Sequence, residues 1–326
     1  MTKAPEYGEI KGTTYDPEEN FVIYGVRHPN SYDGWTSDNA TTYINGGVFT
    51  YDESYNDATA GSGGWKGINT YYWPESGVLS FGGYSPAGIQ GTFTYNAAGL
   101  KIESFAIKTD AAEQQDLMYA ERIYNKTSNT GTNTTYDGVD IAFKHALSSI
   151  QFKVQLSAEY SSTFKLTSIK VGRVKYSGTF TENITETIAA NGSITSTNNP
   201  SWSVADNLIL NSAPYVAFSG SAQLNNNTGD GAIDYVNKYL ALDGVTGQND
   251  LILMPQILTG NNEAVIEIKY TVNGTEQSST VQLNTITPEW EMGKRYTYNI
   301  TLGYDLILVG ATVETWTEND INTPIS

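Results

Sequence analysis

Cysteine is absent from this chain of 326 residues, and histidine occurs only twice, at His28 and His145. The first absence excludes disulfides, thiolate metal sites and a cysteine nucleophile. The second leaves too few imidazoles for most histidine-based metal centres, and it argues against a serine triad. Charge is scarce as well. Only 16% of residues are charged, and they lean acidic, with a formal net charge of -17 and a pI of about 4.4. That balance repels phosphate backbones and anionic lipid surfaces, so nucleic acid and membrane surface are poor partners. Long apolar runs are missing too: Leu306–Val309 is typical of the longest, against the ~20 residues of a membrane helix. The opening MTKAPEYGEI lacks the apolar core of a signal peptide. It reads either as intracellular or as a chain that starts after a signal was removed.

Tyrosine (23) and glycine (31) are abundant instead, and Asn, Thr and Ser fill the polar positions, a mix that suits extracellular β-proteins. The length suffices for about two domains. Alternation dominates. In AVIEIKYTV, Ala264, Ile266, Ile268, Tyr270 and Val272 share one face, while Glu267, Lys269 and Thr271 share the other. Asn273-Gly274 then gives a hairpin signal, because both residues tolerate positive φ. RYTYNITL turns Tyr296, Tyr298, Ile300 and Leu302 inward, and ILVGATVETW follows in the same style. Strands with one greasy and one wet face need a second layer, so the expected fold is all-β and built of sandwiches. Ala111–Tyr124 is rich in helix formers but has no clean apolar stripe, and strand is favoured around Leu117–Ala120. Ser128–Gly138 lacks periodicity, which puts an expected domain boundary near Gly138: residues 1–138, then 139–326.

Ile141–Leu156 alternates in two phases. Ile141, Phe143, His145 and Leu147 share one face; after Ser148-Ser149 the apolar set moves to Ile150, Phe152, Val154 and Leu156. A β-bulge would produce such a slip. His145 lies in the apolar register, so it is expected to be buried, with a ring nitrogen bonded to backbone and no metal.

Motifs of chemistry fail on inspection. Asn226–Asn237 has calcium-loop offsets but Asn237 where a bidentate Glu is needed. Around Ser85, G-x-S-x-G breaks at Ala87. Acidic pairs for glycoside hydrolysis depend on spatial separation, and none is singled out. The Asn-x-Ser/Thr triplets at Asn125, Asn183, Asn191, Asn273 and Asn299 are what chance gives in so Asn- and Thr-rich a chain. Aromatics at Trp65, Tyr71, Tyr72 and Trp73 fit a β core better than a sugar platform, though Trp35, Trp65 and Trp73 are stacking candidates for a carbohydrate ligand.

Six stretches occur in a telling order: YYWPESGVLSFGGYSP (71–86), QQDLMYA (114–120), FKHALSSIQFKV (143–154), LILMPQIL (251–258), GKRYTYNITL (293–302) and VGATVETW (309–316). Together they resemble the fimbrillin-like proteins of Bacteroidetes, subunits of type V pili, over about Phe21–Trp316. The resemblance implies two tandem transthyretin-like β-sandwich domains, no enzymatic activity and no cofactor. It implies export to the cell surface as an outer-membrane lipoprotein, and a fimbria for adhesion assembled with other fimbrial subunits. No cysteine here can carry a lipid, so the anchor would belong to a precursor segment upstream of Met1. Assembly would follow removal of an N-terminal strand and its replacement by a neighbour's. The basic residues available for trypsin-like processing are Arg27, in what reads as an exposed turn before Pro29, and Lys11. A cut at Arg27 would release Phe21–Val26, whereas a cut at the competing Lys11 would release only a polar leader. The donor candidate is Leu306–Trp316, with Leu306, Leu308, Val309, Val313 and Trp316 as its apolar anchors; the competing reading is an ordinary last strand of its own domain. A surface carbohydrate-binding lipoprotein on similar sandwiches is the alternative function.

Overall fold

The computed structural model describes residues 15, 18–35, 39–53, 64–127, 139–156, 164–206, 213–224, 240–241, 250–260, 264–303, 307–316 and 319–325. Lys11, Gly138, Leu306 and the calcium-like loop at 226–237 lie outside them. Among the described residues the regular elements are all strands, apart from 3-10 turns at Ala111–Glu113 and Leu283–Thr285. The all-β expectation holds. Among the described residues no helix is long and apolar enough to cross a membrane.

Alternation translates directly into packing. Val265–Val272 buries Ile266, Ile268, Tyr270 and Val272 and turns Lys269 outward. It then reverses through Asn273 (φ 49°) and Gly274 (φ 84°) into Thr275–Gln282, with Val272 opposite Thr275. The strands form three principal assemblies. In the first, Phe21–His28 lies between Thr41–Asp52 and Val78–Ser85. The pairing path continues through Gly64–Gly67 on one side and through Met118–Lys126 and Val139–His145 on the other. Asn319–Ile325 joins the two ends, antiparallel to Val139–His145 and touching Gly64–Gly67 in parallel, so the path closes. Phe21, Ile23, Phe49, Trp65, Phe81, Met118 and Phe143 fill its core.

The second assembly is a pair of sheets sharing one larger core. One has the order Tyr215–Leu224, Phe164–Gly172, Val265–Val272, Thr275–Gln282. The other runs Leu240–Ala241, Ser148–Leu156, Lys294–Leu302, Ile307–Thr315. Phe164, Ile169, Phe218 and Ile268 from the first meet Phe152, Val154, Tyr298 and Ile300 from the second. A third sheet takes Ser201–Val204 and Ser177–Thr181 from one side of residue 138 and Gly99–Ala106 and Thr92–Asn96 from the other. It extends the larger core to Val22, Tyr24 and Tyr84.

Two local expectations need correction, and one gains detail. The phase slip is no bulge: two strands, Val139–His145 and Ser148–Leu156, end and begin there. Ala146 and Leu147, both fully buried, carry the chain from the smaller core to the larger, so the two strands have no reason to share a phase. His145 is buried as expected, and its Nδ1 meets the Asp116 carboxylate at 2.7 Å. Arg27 is not in a turn. Pairing with Thr41 and Leu79 extends the strand through His28, and the guanidinium bonds Ser76 O and Oγ at 3.0 Å each. In the ambiguous segment, the Asp110 carboxylate caps the Ala111–Glu113 turn by accepting from Ala112 N, and strand begins at Met118.

Candidate assembly site

Phe21–His28 differs from an ordinary surface strand in being buried on both faces. Phe21 and Ile23 enter the smaller core and Val22 and Tyr24 the larger, and all but Arg27 are buried along its length. It is also hydrogen-bonded along both edges. Gly25 is a point of close approach: a Cβ there would lie 3.1 Å from Ile44 Cγ1 and 3.3 Å from Phe81 Cε1. His28 closes the strand. Its Nδ1 faces Asn39 O at 3.1 Å, its Nε2 meets no polar partner among the described residues, and burial lowers its pKa.

Just beyond, the chain is tied to the other half of the molecule. Tyr32 N donates to Asn125 Oδ1 (2.7 Å), and the Tyr32 and Tyr124 hydroxyls both donate to Glu186. Arg122, its side chain 1% exposed, pairs with the same carboxylate at 2.9 Å and donates to Ala97 O, Asn96 O and the Tyr95 hydroxyl. Burial opposes its charge, but Tyr95, Tyr32 and Glu186 outweigh that and keep it protonated. Nothing in sequence spacing joins Arg122 to Glu186; a lone Arg in an apolar strand pattern was the only signal.

The donor candidate lies in the larger assembly. Ile307–Thr315 pairs in unbroken register with Lys294–Leu302, from Leu302 opposite Ile307 to Lys294 opposite Thr315. It forms the outer edge of its sheet. Ile307, Val309 and Ala311 pack on the larger core, whereas Leu308 and Val313 are 55% and 47% exposed. Trp316 is buried, with its indole stacked on the His145 ring at 3.7 Å and 4°. The segment is not the last strand, since Asn319–Ile325 follows it into the smaller assembly.

Of the stacking candidates, Trp65 is corrected outright. It is 2% exposed, ringed by Tyr15, Phe21 and Tyr51, and offers no face to a sugar. Trp35 has the Arg122 guanidinium 4.6 Å from its ring centroid and Tyr95 edge-on at 5.6 Å. Trp73 packs edge-on against Phe81 and lines an apolar cleft with Tyr71 and Tyr72. The three do not form one platform.

A family model described as fimbrillin-like matches residues 31–316, most of the chain. The chain belongs to the fimbrillin-like family. Among solved structures, a fimbrial protein from Bacteroides vulgatus is similar at a TM-score of 0.53 and 16% identity, over 91% of this chain and 93% of that one. A protein assigned to cell adhesion from Bacteroides uniformis is similar at 0.50 and 16%, over 94% of each. At such identities the likeness concerns the fold. Comparison with curated protein sequences finds no match.

Proposed function

We propose that this fimbrillin-like chain is a non-enzymatic structural or adhesive subunit of a cell-surface fimbria, exported as a lipid-anchored precursor and built of two β-sandwich domains of transthyretin type dividing near Gly138. Assembly with other subunits proceeds by strand exchange. Proteolysis at Arg27 frees the N-terminal strand, and Leu306–Trp316 of another subunit replaces it; a cut at Lys11, the competing site, releases only a polar leader. The observation that carries this reading is the setting of Phe21–His28, buried on both faces and paired on both edges. Its loss leaves two unpaired strand edges beside an opened core, which an extended segment fills with ladder bonds and apolar anchors.

The test is direct. Protein cut by trypsin and stripped of the Phe21 fragment should form oligomers by size-exclusion chromatography and light scattering. A chain ending at Leu302 should keep its remaining fold but fail to polymerise. Stripped protein that stays monomeric, or a truncated chain that still polymerises, would refute the exchange.

A further inference from the structure

Two features of Ile307–Thr315 have no explanation where that strand lies. Leu308 exposes 55% of its surface on the outer face. Gly310 sits mid-strand without a positive φ, and a Cβ there would meet nothing within 4 Å among the described residues. Glycine in a strand interior weakens it and usually marks the close approach of another backbone. Neither need exists at that edge.

Both are explained by a second position. The removable strand reads Phe21-Val22-Ile23-Tyr24-Gly25-Val26, and the sequence leading into the outer strand reads Leu306-Ile307-Leu308-Val309-Gly310-Ala311. Four consecutive large apolar residues followed directly by glycine occur at these two places and nowhere else in the sequence. In most half-buried strands apolar residues alternate; a run of four suits a strand buried on both faces, as Phe21–His28 is.

We infer that Leu306–Ala311 of a second copy of this chain enters the vacated groove in one fixed register and with the polarity of the lost strand, Gly310 taking the place of Gly25. This deepens the exchange reading and rests on it. In that register Leu306 and Leu308 take the places of Phe21 and Ile23 toward the smaller core. Ile307 and Val309 take those of Val22 and Tyr24 toward the larger. Gly310 passes between Ile44 and Phe81, where Gly25 has no room for a side chain without displacement. A slip of one residue would point each apolar side chain to the opposite face and drive Val309 or Ala311 into that gap. The glycine thus acts as a register key.

The occupant is a second copy because the chain's own segment starts in the wrong place. Lys294–Leu302 runs parallel to Ser148–Leu156, with Arg295 opposite Ser149 and Leu302 opposite Leu156. Ser149 is near the crossing between cores, so Leu302 lies some seven residues, roughly 23 Å, farther from it. Four residues from Leu302 to Leu306 span at most about 14 Å.

The experiment uses the full chain, nicked and stripped as above, with Gly310→Val and Leu308→Asp beside a chain ending at Leu302. Both point variants should melt as the parent does, because both positions face open space, yet polymerise at least about tenfold less. Since the chain has no cysteine, Tyr84→Cys in a stripped acceptor and Ile307→Cys in a donor should form a disulfide, Tyr84 being opposite Val22. Leu308→Cys against the same acceptor should form far less. If the truncation stops polymerisation while Gly310→Val polymerises like the parent, or if the Leu308 pair links as readily as the Ile307 pair, the register is wrong and the donor assignment stands. If the truncated chain polymerises, both fall.

Discussion

Trypsin should cut the folded chain at Arg27 far more slowly than it cuts the same bond in a peptide. A protease needs an extended, unpaired segment in its active site, and Arg27 is paired to Thr41 and Leu79 with its guanidinium on Ser76. Freeing the strand exposes Phe21, Val22, Ile23 and Val26, each at most 4% exposed now. At about 1.5–3 kcal/mol for each such side chain, local opening costs about 6–12 kcal/mol before Tyr24 or any ladder bond is considered. Even the low end holds the open form to roughly one molecule in 10⁴. When opening is fast relative to cleavage, the rate follows that population. The assay is a trypsin time course with intact-mass detection, run on the folded chain and on a synthetic peptide spanning residues 19–33. A reduction of about 10⁴-fold at Arg27 is expected. Cleavage within about tenfold of the peptide rate would show that the strand is not held as its burial says.

Burial lowers the pKa of His28, so the unfolded chain, with an ordinary histidine value of about 6.5, takes up the proton first. Its contribution to stability is complete above that value and is lost as pH falls through it; urea midpoints should drop between pH 7 and 5, and less so in His28→Gln. Glu182, raised by burial, acts in the opposite sense and loses stability as pH rises through its folded value, so the His28 variant is needed to separate the two. Arg122→Ala leaves the Glu186 carboxylate without its ion-pair partner and should cost about 3–5 kcal/mol by urea unfolding. Trp316→Ala empties the space over His145 and should cost a similar ~3–5 kcal/mol; an unchanged midpoint would mean the stacked indole carries no packing.

The sequence made legible whatever depends on near neighbours. Alternation in Val265–Val272 and the Asn273-Gly274 reversal are local, and so is the burial of His145, which follows from its phase with Ile141 and Phe143. Contacts between distant strands were not legible. Arg27 looked like a turn residue because Pro29 follows and the apolar run stops at Val26, but two neighbouring strands hold the backbone extended for two residues more. The slip at Ser148-Ser149 resembled a bulge because one strand of two phases and two strands in different cores leave the same pattern. For the two segments of the proposed exchange, the apolar run before Gly25 and Gly310 is visible in the sequence. That Gly25 needs its missing side chain, and Gly310 does not, required the packing of Ile44 and Phe81.

Strand Asn319–Ile325 pairs with Val139–His145, Asn319 lying opposite Phe143. On a ribosome, or at an export channel, everything up to residue 303 is available before this partner arrives. The larger core can form early, from segments already present, while the smaller one waits for the final stretch. Such long-range closure is slow. During the delay Val139–His145 and Gly64–Gly67 present strand edges that the finished fold closes.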